Sequence, residues 1–156
     1  MSAVGYSVTT EGAVAVAAAT AESVLGVKAH ANSGLQIKGF VIAFDGVTAS
    51  AVPVLIEVCY ATFATNSPGT NSTSVTPRQC YGRALTAGFT AAKNWTAEPT
   101  ALTVCKEFLL APDKGVFAYQ FPLGTEPDCA LAEGFVLRIT APAAVNLRAS
   151  IDVERI

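Results

Sequence analysis

From Val145 to Glu154 the chain alternates almost without fault, with Leu147, Ala149, Ile151 and Val153 in one set and Arg148, Ser150, Asp152 and Glu154 in the other. A period of two over this length marks a strand with one dry face and one wet face. Elsewhere few segments hold a helical period for more than a turn or two, and short β-rich runs recur between Gly, Pro, Asn and Ser. That spacing predicts an all-β sandwich or barrel. The expected strands are 4–9, 23–30, 35–45, 52–63, 80–87, 102–111, 115–121, 134–141 and 145–154. The alanine-rich stretch 13–21 could instead form one short helix, alanine being the best helix former.

Two pairs of strands read as hairpins with related turns. One joins 35–45 to 52–63 through Thr48-Ala49-Ser50-Ala51, and the other joins the last two strands through Thr140-Ala141-Pro142-Ala143. The strands also differ in polarity. In Gly39–Asp45 both faces are apolar, with Phe40, Ile42 and Phe44 on one side and Val41 and Ala43 on the other. A strand dry on both faces lies between layers or presses against a neighbour. The stretch 107–124 behaves alike, with Phe108, Leu109 and Leu110 before a turn and Val116, Phe117, Tyr119 and Phe121 after it.

At 156 residues the chain suits one domain. Its residues are 51% apolar and 14% charged, against about 25% charged in an average domain. So little charge points to a surface partly hidden against other copies or another protein. No apolar run reaches the roughly 18 residues of a membrane-spanning helix. Net charge is −2 and the ten Lys and Arg are scattered, which argues against direct nucleic-acid binding. Residues 13–19 resemble the core of a signal peptide, but Glu11 precedes them and no positive charge does, so export by that route is not expected.

Motifs that would carry chemistry are scarce. Cys59, Cys80, Cys105 and Cys129 lie far apart with no C-x-x-C, so no zinc site is expected. Four free thiols are the favoured reading, with a Cys80–Cys129 bridge as the alternative. His30 is the only histidine, too few for the usual general-base or metal clusters. Glu57, Glu107 and Glu126 could in principle assemble a hydrolytic carboxylate pair, and Glu126 with Asp128 a calcium turn, but both patterns fit solvated positions better. No catalytic residue, cofactor or metal is therefore expected. Residues 64–79 are polar and rich in Ser and Thr, which suits an exposed excursion or extended arm. Trp95, the single tryptophan, either tucks over the core or anchors an interface.

Taken in order, ESVLGVKA, FDGVTASAVPVLIEVC, NWTAEPT, QFPLGTEP and LRITAPAAVNLRA resemble segments of small proteins encoded among the virion genes of tailed bacteriophages. The resemblance spans roughly residues 22–154 and carries no catalytic motif. It implies a β-sandwich component of the particle, in its most specific form a decoration protein on the capsid exterior. The combined expectation is an antiparallel, jelly-roll-like β-sandwich with long polar loops over 22–156, preceded by an N-terminal arm or short peripheral element over 1–21. Such a protein would be non-enzymatic, self-associate as a trimer and bind the major capsid protein at the virion surface. Phe40, Ile42, Phe44, Phe117, Tyr119 and Phe121 from the two doubly apolar regions, with Trp95, are the candidate interface residues. A rival reading is a carbohydrate- or receptor-binding module of the virion or tail, with Trp95 and Tyr81 as the available aromatics.

Overall fold

The computed structural model describes residues 3–45 and 51–156. The strands are β1 (Gly5–Thr9), β2 (Val14–Val16), β3 (Ala21–Lys28), β4 (Leu35–Asp45), β5 (Val54–Thr62), β6 (Thr73–Val75), β7 (Arg78–Tyr81), β8 (Thr90–Lys93), β9 (Ala101–Leu110), β10 (Val116–Gln120), β11 (Asp128–Cys129), β12 (Gly134–Thr140) and β13 (Val145–Arg155), with one 3₁₀ turn at Pro112–Lys114. They form a seven-stranded sheet in the order β10-β4-β13-β1-β7, in which β11 also pairs with β4 and β2 with β13, and a six-stranded sheet in the order β6-β8-β3-β12-β5-β9. Every ladder is antiparallel. The two sheets pack face to face as a sandwich.

The chain changes sheet at eight of its twelve strand-to-strand connections. Taking β1, β3, β4, β5, β9, β10, β12 and β13 as the principal strands, one sheet runs β10-β4-β13-β1 and the other β3-β12-β5-β9. This is the strand order of a jelly roll, the double Greek key in which each sheet draws its neighbours from distant parts of the chain. The remaining short strands widen it: β7 extends the first sheet beyond β1, and β8 and β6 extend the second beyond β3.

This topology corrects the expected hairpins. β4 and β5 lie in different sheets, as do β12 and β13. Each connection is therefore a crossing, not a turn between neighbours. Their likeness has a reason, because β4 pairs with β13 while β5 pairs with β12, with Asp45 opposite Asn146 and Leu55 opposite Thr140. The strand ends that flank the two crossings thus lie side by side at one end. Of the first turn, Thr48, Ala49 and Ser50 lie outside the described residues.

The N-terminal segment is also not an arm. β1 is inserted between β13 and β7, and Val4, Tyr6 and Val8 are buried. The alanine-rich stretch holds β2 on β13, from Val14 opposite Leu147 to Val16 opposite Val145, and no helix. Its Val14 and Val16 fill the core, so side-chain burial overrides the helical preference of alanine.

Two apolar clusters hold the fold. The main one lies between the sheets, where Leu25, Val27, Ile37, Phe40, Ile42, Ile56, Phe135, Leu137, Leu147 and Ile151 are buried. The smaller one, Ala61, Phe63, Ala92, Trp95 and Val136, sits apart from it. Trp95 can settle there because Gly26 has no side chain; a Cβ at Gly26 would stand 2.9 Å from both the Trp95 ring and Val136 Cγ2. The polar loop expected to reach outward is instead stitched down beside this tryptophan. Asn66 accepts from Trp95 Nε1 at 2.8 Å through its carbonyl and donates from its amide to Glu98 O at 2.7 Å, and Thr65 N donates to Thr100 Oγ1 at 2.6 Å.

Candidate interaction surface

The apolar residues at the open side of the sandwich are largely consumed within the chain. Phe108 of β9 meets Phe117 and Tyr119 of β10 at ring separations of 5.1 Å, and Phe40 of β4 lies 5.9 Å from Phe108. Phe121 meets Tyr119 edge-on at 5.1 Å. Lys106 Nζ caps the Tyr119 ring at 5.8 Å, a cation–π contact from one sheet to the other. Aromatic side chains from both sheets thereby close the gap between the two edges.

This placement changes the expected interface. Phe40, Ile42, Phe121 and Trp95 are buried inside a single chain, and Phe44, Phe117 and Tyr119 pack partly buried against the main core. Trp95 takes the tucked of its two readings. The structure groups Phe40, Phe117, Tyr119 and Phe121 at one side of the sandwich, and places Trp95 in the separate cluster. The period-two pattern separated the two sides of each strand correctly, but could not say which side faces the opposite sheet.

What remains outside is the other face of the same strands. Val116, Ala118 and Gln120 of β10 stand opposite Ala43, Val41 and Gly39 of β4, on the side turned away from the core residues Phe40 and Ile42. Val116 is 67% exposed, Ala118 is exposed, and Val41 and Ala43 are half-buried. Together they make a flat, uncharged strip of small residues on the outside of the seven-stranded sheet. Val41 and Ala43 themselves line a shallow depression with Thr10, Glu11, Gly12, Arg148 and Ser150. Leu109, on β9 at the same end, is 72% exposed.

The strip ends against a charged ridge. Lys38 Nζ bridges Glu126 Oε1 at 2.7 Å and Glu154 Oε2 at 3.3 Å, and Tyr81 donates its hydroxyl to Glu154. The hydrogen bond from Lys38 holds the Glu126 carboxyl below the usual range, and the same bond raises Lys38. Burial, then the bond to Glu154, pushes Tyr81 up to about 12. Tyr81 also covers Gly5, where a Cβ would fall 2.1 Å from the ring.

These bonds decide the chemistry of the candidate carboxylates. Glu126 is bound to Lys38, Glu57 accepts from Arg138 Nε at 2.7 Å, and Glu107 stands opposite Glu57 on the exposed strand β9. Glu57 and Glu107 are thus brought together and Glu126 is not, since it pairs in the other sheet's surroundings. The hydrogen bond to Glu57 raises the Arg138 guanidinium above its usual value. Among the described residues no group of three His, Cys, Asp or Glu is placed to hold a metal ion. All four cysteines are free thiols; Cys59 and Cys129 are buried, and burial pushes Cys59 up to about 11. Sequence reasoning missed the Lys38–Glu154–Tyr81 network altogether. Its members come from three strands, and the only sequence signal was polar alternation on β13.

The fold and surface together define a jelly-roll β-sandwich with an uncharged outer strip. Compared with known proteins, the chain matches no family model, no curated protein and no solved structure.

Proposed function

We propose that this chain is a non-enzymatic structural protein of a phage virion, in its most specific form a decoration protein that self-associates and binds the major capsid protein on the capsid exterior. The observation that carries this reading is the uncharged strip of Val41, Ala43, Val116 and Ala118, in which Val116 and Ala118 are exposed and Val41 and Ala43 are half-buried. Burying such a surface against a partner is favourable at about 25 cal/mol per Å² of apolar area, less the cost of association. Further support comes from the resemblance of the sequence segments to virion proteins and from the jelly roll, a common architecture of capsid and lectin domains. The glycan-binding reading draws less support, since its best aromatic, Trp95, is buried and Tyr81 is held over Gly5.

The test is to add purified protein to capsids assembled without it. Expected results are bound density on the exterior by cryo-electron microscopy and a higher rupture temperature. Absence of any bound density, with rupture unchanged, would sink the proposal.

A further inference from the structure

The two sheets end in four edges, and three of them carry features that oppose pairing. β9 turns Lys106 inward over Tyr119 and is bulged at Cys105, since Lys106 stands opposite Val58 and Val104 opposite Cys59. β7 begins with Arg78 directly after Pro77 and slips register against β1. β6 has three residues and ends just before the same proline. Inward charges, bulges, prolines and short length are the usual protections of a sheet edge. β10 carries no inward charge, bulge or internal proline, although Pro122 follows its end at the same two-residue distance as Pro77 follows β6. Val116–Gln120 is uncharged, free of proline, and paired with β4 in unbroken register.

We propose that β10 is the edge through which two copies of this chain join, pairing antiparallel about a twofold axis at Ala118. The inference rests on the self-association in the proposed function, names its surface, and replaces the threefold arrangement expected from sequence with a twofold one. The backbone register supports it. Phe121 N donates to Lys38 O at 2.9 Å, and antiparallel pairs alternate between bonded and non-bonded, so Tyr119 and Phe117 also bond inward to β4. Val116, Ala118 and Gln120 therefore direct their N–H and C=O groups off the free edge. A twofold axis at Ala118 matches all of these groups. Ala118 exchanges bonds with its counterpart, and Val116 with Gln120 of the second copy.

The side chains agree with this register. On the outer face the two Ala118 meet at the axis, and Val116 lies across from Gln120. On the inner face Phe117 comes opposite Tyr119, an aromatic cross-strand pair. The uncharged strip becomes continuous across the axis, which enlarges the surface available to a capsid.

The experiment combines mass determination in solution with a cysteine probe. A dimer is expected for the wild type. In a Cys80→Ala background, Ala118→Cys should form a disulfide-linked dimer on mild oxidation, because bonded antiparallel pairs place their Cα atoms about 5.5 Å apart, within disulfide reach. Ala118→Pro removes an N–H that β4 does not use, and should raise the dissociation constant at least tenfold with an unchanged circular dichroism spectrum. If the proline unfolds the chain, Val116→Lys at an exposed position carries the same expectation. An oligomer that persists in both variants, with no Ala118→Cys dimer, would overturn this edge while leaving self-association through another surface. A wild type that stays monomeric at high concentration would overturn both.

Discussion

Individual residues show how closely this sandwich depends on packing outside its main core. Trp95 is buried over Gly26, donates to the Asn66 carbonyl, and has its own N–H bonded to Ser23 O at 3.0 Å. Trp95→Ala is expected to cost about 3–5 kcal/mol, as for other large-to-small core changes, measured as a lower urea midpoint; a stable, folded variant would show that the loop is held by other means. Lys38 and Glu126 give a pH dependence of known sign. Glu126 is lowered in the folded state, so its contribution is present above the ordinary glutamate range and is lost as pH falls through the folded value. Lys38 is raised, so its contribution is present below the ordinary lysine range and is lost as pH rises through the folded value. Glu126→Gln should therefore flatten the acid side of a stability-versus-pH curve, followed by thermal unfolding. An acid limb as steep as the wild type's would contradict the assignment.

At the scale of elements, the two strands at the open side have opposite characters. β9 spends Lys106 and a bulge on a ten-residue edge strand that exposes Val104 and Leu109, whereas β10 carries neither device. Lys106→Val with Glu107→Val removes the protection of β9. The double variant is expected to aggregate at concentrations where wild type is clear, read by light scattering, because an uncharged, long edge is a template for strand pairing. Unchanged scattering would mean that the bulge alone suffices. The same scale shows where pattern reading reached its limit. Eight of the nine expected strands lie close to β1, β3, β4, β5, β9, β10, β12 and β13, whereas the ninth, 80–87, meets β7 only at Cys80 and Tyr81, and β2, β6, β8 and β11 were passed over. None of those four exceeds four residues. A run that short contains too few alternations to stand out, and it is ordered by the strand beside it.

For the whole molecule, the jelly-roll order makes the chain's beginning and end mutually dependent. β1 pairs with β13 from Gly5 opposite Glu154 to Thr9 opposite Ser150, so residues far apart in sequence complete one sheet. Deleting residues 1–9 is expected to abolish cooperative thermal unfolding, since it strips Tyr6 and Val8 from the core and separates β13 from β7. An arm could be removed without such loss, and a truncated chain that unfolds cooperatively at the wild-type temperature would restore that view. Folding through such long-range pairs is expected on the slow scale of all-β domains, milliseconds to seconds.

The sequence by itself determined that the protein is all-β, where its longer strands run, and which side chains share a side of each strand, because alternation is a local consequence of strand geometry. It also showed that little charge was available to cover the molecule. Tertiary structure alone decided which strands are neighbours, and with that which apolar side faces the opposite sheet. Phe40 and Ile42 seal the sandwich while Val41 and Ala43, one residue away, remain outside. That choice belongs to crossings between sheets and to contacts such as Phe108 with Phe117, which join residues that no local pattern relates.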